Sequence, residues 1–428
     1  MGNPFKNIKK PLSADTKSVL TLIGGTSIAQ VLSFLFAPVT TRLFSPEVFG
    51  DLSVFTSITG IIGIIICLRY ELAIILPQDD DEGFSLLKLC FLFTTVISIV
   101  AGFLFLFAGK AIYEKFSAKN LIDYWYYVPI SLFLSGIIQA SNYWLTRMKQ
   151  FSVLSWNKVL PVIAVNLVSV GLGLLGQIGI GARLFALLVS NLVNIAVIMK
   201  AVAPAFRPEK HRNNFTIGEL VHRYKNFLVY DIWGALLNNL SWMIIPILMN
   251  TYYGSSAAGQ YSIGMRVIQI PASLIGASIS QVFITTGNDK RIEKNLYKYC
   301  ISIAKKLFFY SAPIGILLLL LGKTLFRIVF GNKWSLAGEY SQILAPWAIL
   351  WFISSPLSAV FTICQKQRQF LIISIANLLT RFLALYIGKL YNSDLLGVGI
   401  FSASGFLVYG FSLFLLMRIA RKNDIDYE

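Results

Sequence analysis

Charge is scarce in this chain: of 428 residues only 13% are charged, 56% are hydrophobic, and the mean hydropathy is +0.68. Scarcity on that scale excludes a soluble globular fold and points to a polytopic membrane protein. Acidic residues number 20 against 37 basic ones, for a net charge of +17. The basic residues sit between apolar runs and not on one face, so they read as topogenic charge, and nucleic acid is excluded as a partner. Histidine occurs only at His211 and His222, in one basic stretch without companions at metal-ligand spacing. Cys67, Cys90, Cys300 and Cys364 are scattered and show neither metal spacing nor a disulfide framework. A Walker loop, a Ser-His-Asp set and a paired-carboxylate site are all missing. The longest polar segments, 200–226 and 285–304, are too short to be domains, so a transporter without a cofactor is expected in place of an enzyme.

What is present is a series of apolar runs of membrane-spanning length, expected as helices over 19–39, 52–76, 85–109, 121–143, 154–176 and 179–199. A second group follows at 227–250, 258–284, 305–329, 341–363, 369–388 and 396–417. A signal peptide is the rival reading of the first run, but no small-residue cleavage site closes it, so an uncleaved span is expected. The twelve spans divide into an N-terminal lobe at 1–205, a linker at 206–226 and a C-terminal lobe at 227–428. With the N-terminus inside, 23 Lys and Arg fall in inside segments and six in outside loops, which places both termini in the cytoplasm. The acidic turn QDDDEG at 78–83 reads as a solvated turn.

The halves also resemble each other. Pro38 is followed by Gly50-Asp51-Leu52-Ser53, and Pro246 by Gly259-Gln260-Tyr261-Ser262, each across a short turn. Repeats of six spans return the chain to the same side, so they would be parallel.

Polar residues inside the spans carry the functional signal, because a charge near the hydrocarbon core costs several kcal/mol (roughly 3) unless it faces protein or water. In AGQYSIGMRVIQIPASLIGASISQ, 258–281, Gly259, Ser262, Arg266, Gln269, Ser273, Gly276 and Ser280 recur every three or four positions on one stripe. Pro271 gives the same helix a kink. Asp231, Gly234, Asn238 and Ser241 form a second stripe, and Thr26, Gln30, Ser33 and Thr40 a third. Arg69-Tyr70-Glu71 ends the second span, where mutual pairing competes with a substrate role. Arg42, Arg183 and Arg381 read as snorkelling or structurally paired. An arginine among hydroxyl and amide groups suits an anionic, sugar-bearing cargo, since its fork of donors matches phosphate oxygens. Stripes of small residues also serve as helix–helix contacts, and periodicity does not separate the two uses.

TLIGGTSIAQVLSFLFAPVTTRLFSPEVFGDLSVFTSI with LRYELAIILPQDDDEG resembles the opening of bacterial polysaccharide-unit (Wzx-type) flippases. These belong to the multidrug/oligosaccharidyl-lipid/polysaccharide exporter superfamily. LLNNLSWMIIPILMNTYYGSSAAGQYSIGMRVIQIPASLIGASISQVF resembles the family's seventh and eighth spans, and FGNKWSLAGEYSQILAPWAILWFISSPLSAVF a later segment. The resemblance implies an all-α, MATE-like fold of two six-helix lobes around a central cavity, working by alternating access in the bacterial inner membrane. It implies an undecaprenyl-diphosphate-linked glycan as cargo, used for O-antigen, capsule or exopolysaccharide, with polymerase and chain-length machinery as further partners beside membrane lipids. Arg266 falls on a position resembling a diphosphate-binding cation of related flippases. Arg42 and Arg69 match motif arginines, and Gln269, Ser262, Asn238 and Gln30 complete the expected substrate wall. Asp231 and Glu71 are the acidic candidates for ion coupling. A small-molecule exporter of the same fold and a glycan polymerase are the alternatives, the latter expected to need a large external loop.

Overall fold

A bilayer offers no water to unpaired backbone N–H and C=O groups, so apolar runs must satisfy them internally, as helices do. The computed structural model describes residues 14–206, 215–272 and 276–425, and among these residues it contains helices and turns and no strand. The N-terminal half comprises α1 (Ala14–Leu43), α2 (Pro46–Ile64), α3 (Asp80–Lys115), α4 (Tyr127–Arg147), α5 (Phe151–Leu174) and α6 (Ile180–Val202). A short helix α7 (Ile217–Arg223) leads to α8 (Ile232–Pro271), α9 (Ala277–Ile292), α10 (Leu296–Phe330), α11 (Ser335–Leu357), α12 (Ala359–Ile363), α13 (Gln367–Leu390) and α14 (Asp394–Ile425). Each of the twelve expected spans overlaps one of these helices, and the second, fourth, seventh and eighth only in part. Eight segments among the described residues are long and apolar enough to cross a membrane on their own, and a bent pair at 227–271 makes a ninth. The outer surface is what a bilayer requires: Phe107 is 82% exposed and Leu175 78%, both on spans that lipid would cover.

Two helices depart from the sequence reading. The second span does not run as one helix over 52–76. It begins at Pro46, where proline at the first position costs no backbone bond, and stops at Ile64. Leu68 and Arg69 then take left-handed conformations, φ 50° and 66°, before a 3₁₀ turn at Tyr70–Ile75. α8 reverses at Gly254, whose φ of 87° lies where side chains are strained, and so forms both the seventh and the eighth spans.

Packing runs within each half: α1 on α5, α5 on α6 and α3 on α4 in the first, and α10 on α11, α13 on α14 and α8 on α11 in the second. The halves meet chiefly where α2 crosses α8. The crossing is reciprocal. A Cβ on Gly50 would overlap the Ser255 carbonyl, and one on Gly259 would overlap the Pro46 carbonyl. Gly50 and Gly259 are the residues the internal resemblance pairs, so the same glycine permits close approach from both sides.

The Gly254 end of the bundle is further stitched by backbone acceptors. Trp334 Nε1 donates to the Thr41 carbonyl (2.8 Å), Arg42 Nη2 to Ile328 (3.2 Å), and Lys333 Nζ to Arg42 (3.0 Å). Gln260 spans α8 and the α10–α11 turn, donating to Lys333 O (2.6 Å) and accepting from Ala337 N (2.9 Å). At the opposite end, the acidic turn at 78–83 caps and anchors. Asp79 accepts from Asp81 N (3.0 Å), Asp80 pairs with Arg147 (2.8 Å), and Glu82 pairs with Arg223 and Tyr224, so α7 is fastened to the first half.

Candidate functional site

A cavity of about 430 Å³ is lined by the first half and closed on the α8 side by Asn239 of the second. Its wall is assembled from helix stripes: Thr56, Thr59 and Gly63 of α2, Ser131, Ser135 and Gln139 of α4, Leu187 and Asn191 of α6, and Asn239 of α8. The spacings of three and four put each set on one helix face. Several of these polar groups are already partnered. Thr56 donates to Leu52 O (2.9 Å), Thr59 to Phe55 O (2.9 Å) and Asn239 to Ala235 O (2.8 Å). Their oxygens still present acceptors to the cavity, which suits hydroxyl-rich ligands more than apolar ones.

Arg69 stands at one end of this cavity, and here three expected site residues come together. Its Nε donates to Asp231 Oδ2 at 2.6 Å, and its Nη1 lies 3.4 Å from Glu71 Oε1. Gln139 donates to the same Glu71 oxygen at 2.8 Å, and Glu71 Oε2 has no partner although the residue is fully buried. The left-handed backbone at Leu68–Arg69 turns the chain so that Arg69 reaches across to Asp231. Asp231 ends a π-helical turn, Phe227–Asp231, at the start of α8. The pair therefore joins the two halves at the end opposite Gly254.

Arg266 lies on the other branch of α8. Met265 and Ile268 beside it are buried, but Arg266 and Gln269 are exposed. No described residue forms an ion pair or hydrogen bond with Arg266. The expected stripe thus divides by use. Gly259 serves the helix crossing, Ser262 donates to Ala258 O (2.8 Å), and Arg266 and Gln269 stay open. Ser273 lies outside the described residues, as do the side chains of Asn238 and Ser280. Gln30 is half-buried on α1, whose Thr26 and Thr40 hydroxyls bond back to their own helix.

The remaining arginines separate. Arg42 is exposed at the Gly254 end and held by the Ile328 carbonyl, away from the lining of the cavity. Arg381, 2% exposed, stacks on Trp242 with 4.2 Å to the ring centroid and donates to Ser241 O (3.0 Å). Arg183 is 6% exposed, under the rings of Phe44 and Phe49. Neither buried arginine snorkels, and neither pairs with a carboxylate among the described residues, which corrects the sequence reading of both. The cavity-facing stripe of α6 was also missed. Arg183, Leu187 and Asn191 at spacings of four were its only signal.

Comparison with known proteins fits this arrangement. Residues 39–339 match the family model described as polysaccharide biosynthesis protein. A teichuronic acid biosynthesis protein, TuaB of Bacillus subtilis (strain 168), is 25% identical over 136 residues, 32% of this chain and 28% of the relative's own length. Among solved structures, the lipid II flippase MurJ in an inward closed conformation superposes with a TM-score of 0.76 at 15% identity, over 95% of this chain and 90% of that one. An inward-facing multidrug resistance MATE transporter superposes with a TM-score of 0.73 at 16% identity, over 94% and 98%. The two structures establish the fold, the family model covers well over half the chain, and this protein belongs to the family described as polysaccharide biosynthesis protein.

Proposed function

We propose that the protein flips undecaprenyl-diphosphate-linked oligosaccharide units from the cytoplasmic to the outer leaflet by alternating access, for surface polysaccharide assembly. The observation that carries this reading is this cavity, rich in amide and hydroxyl groups and fitted with an arginine, inside an otherwise apolar bundle. Hydroxyls and amides match sugar hydroxyls, and guanidinium donors match diphosphate oxygens.

With both termini in the cytoplasm, the Arg69 end of the cavity faces the cytoplasm and the Gly254 end faces outward. The headgroup enters beside Arg69, where Asp231 and Glu71 compete for the same guanidinium. A diphosphate arriving there displaces one carboxylate and loosens the tie between the halves. Glu71, buried with one free oxygen, and Asp231 are then the groups available to take up a coupling ion. Arg266, with Gln269, Ser262, Asn238 and Gln30, which lie outside the lining of this cavity, is proposed to meet the headgroup further out as the path opens, and Arg42 to serve the outer gate. The work is transport and not catalysis.

An exporter of cationic drugs is the competing use of the fold. Arg266, exposed and without a carboxylate partner among the described residues, repels such cargo. Deleting the gene separates the two. Loss of surface glycan with accumulation of the lipid-linked unit is expected, and unchanged glycan with sensitivity to cationic drugs contradicts the proposal.

A further inference from the structure

Three carboxylates are buried among the described residues: Asp51, Glu71 and Glu82. Glu71 lies beside Arg69 and Glu82 pairs with Arg223, so each has a guanidinium to meet its charge. Asp51 has none. It is 1% exposed, near the start of α2, and no described Lys or Arg pairs with it. Its Oδ2 accepts from Asn120 Nδ2 at 2.8 Å, while Oδ1 is buried with no hydrogen-bond partner. An isolated charge in such a place costs far more than a neutral acid, so a buried carboxylate without a cation neutralises. A proton on Oδ1 removes the charge and leaves the bond from Asn120 in place.

Position gives that proton a use. Asp51 follows Gly50, the residue that meets the Ser255 carbonyl where α2 crosses α8. Asn120 belongs to the 3₁₀ turn Lys119–Tyr124, in the connection between α3 and α4. The second half holds the same connection, since Asn250 of α8, fully buried, donates to the Phe116 carbonyl at 2.6 Å. Asp51 thus ties the connection to α2 and Asn250 ties it to α8, both at the Gly254 end. Asn120 is itself exposed, so one side chain separates Asp51 from the water beyond that end. The ionisable groups nearby leave Asp51 uncompensated. Glu47, one turn back on α2, has the same sign, and Lys119 and Asp123, on either side of Asn120, are exposed. Lys333 donates to the Arg42 carbonyl, and Arg183 of α6 is held by Phe44 and Phe49, the latter two residues from Asp51 on the far side of α2. Tyr252 and Tyr253 of α8 turn to Tyr386 and the Leu385 carbonyl, and Tyr124 packs on Tyr127.

We infer that Asp51 is a proton-binding site coupled to the α2–α8 crossing, loaded from outside as the Gly254 end closes. Opening that end admits water to the carboxyl group, which ionises and gives its proton to the outer medium. Closing seals Asp51 again and takes one proton back, returning the group to its acid form. An outer medium more acidic than the cytoplasm therefore favours the sealed crossing and resets the transporter toward its cytoplasmic side. The site stands apart from Arg69, Glu71 and Asp231 at the other end. It rests on alternating access and not on the identity of the cargo.

The test follows the Gly254 end with pH in the full-length protein in nanodiscs, without cargo. Spin labels at Gln177 and Tyr391, exposed at that end in opposite halves, report its opening. The longer distance should gain population as pH rises, by at most about tenfold per pH unit for one proton. Asp51→Asn, isosteric and always neutral, should hold the short distance at every pH. Asn120→Ala alters an exposed side chain and serves if Asp51→Asn fails to fold. It removes the hydrogen bond that favours the ionised form, so the response should move to higher pH. Difference infrared spectra read the proton itself: a protonated-carboxyl band at neutral pH should be missing in Asp51→Asn and retained in Glu71→Gln. A distance that ignores pH, or that responds alike in wild type, Asp51→Asn and Asn120→Ala, overturns the coupling. Absence of the Asp51 band overturns the proton site, as does a response to sodium in place of protons at constant pH. The flippase reading is judged by glycan export and survives each of these failures.

Discussion

Arg266 and Arg69 differ in what each already holds. Arg69 is engaged by Asp231 at 2.6 Å and sits near Glu71, while Arg266 has no described partner and its helix neighbours are buried. Replacing Arg266 with Ala is therefore expected to abolish complementation of surface glycan export without loss of expression. Lys in its place should be partly active, since the charge remains and the two-donor fork does not. Immunoblots of membranes beside glycan staining check both. For Asp231→Asn the expected effect is mechanical. The ion pair is partly exposed, so its loss is worth roughly 1 kcal/mol, about a fivefold shift in population toward the state open at the Arg69 end. Spin-label distances between Lys149 and Asn288, both exposed at that end, should lengthen in the variant and remain as in wild type in Asp231→Glu. At this scale the sequence was informative where polar residues shared a stripe, as for Arg266 and Gln269. It was not where aromatic rings from other helices do the burying. Nothing near Arg183 in sequence announces Phe44 and Phe49, which come from the α1–α2 turn and the first turn of α2.

Helices α2 and α8 pack through two glycines near the Gly254 end, and they set how closely the halves meet there. A methyl group on Gly50 or Gly259 overlaps a carbonyl of the opposing helix, and no flexible side chain is there to yield. Gly50→Ala and Gly259→Ala should each destabilise this packing by about 1–3 kcal/mol. The measurement is thermal unfolding in detergent, with Gly24→Ala, where a Cβ meets open space, as the control expected to change little. Gly254→Ala carries a different penalty, about 1–2 kcal/mol for a side chain at φ 87°, with no clash. Element positions were legible because runs of about twenty apolar residues leave few other solutions. The break after Ile64 was not, because 52–76 is apolar almost throughout and the left-handed pair is Leu68–Arg69, without a glycine or proline to mark it. The pairing of Gly50 with Gly259 was visible as a repeat, while its role as a reciprocal contact required the fold.

As a whole, the molecule presents apolar side chains to the bilayer and keeps its polar surface between two halves, joined by the α2–α8 crossing and the stitches around Trp334 at one end and by Arg69–Asp231 at the other. A transporter that alternates access must break one set while it keeps the other. The excess of Lys and Arg in the expected inside segments predicts that both termini lie in the cytoplasm. A reporter active only in the cytoplasm should then work at either terminus and fail at Lys333. The most direct measurement of the central claim uses proteoliposomes containing the purified protein and a fluorescent undecaprenyl-diphosphate-linked oligosaccharide, with a quencher that reaches only the outer leaflet. The expected result is protein-dependent movement of the labelled lipid across the bilayer, lost in Arg266→Ala. Movement no faster than in protein-free vesicles, or equally fast in Arg266→Ala, contradicts the account.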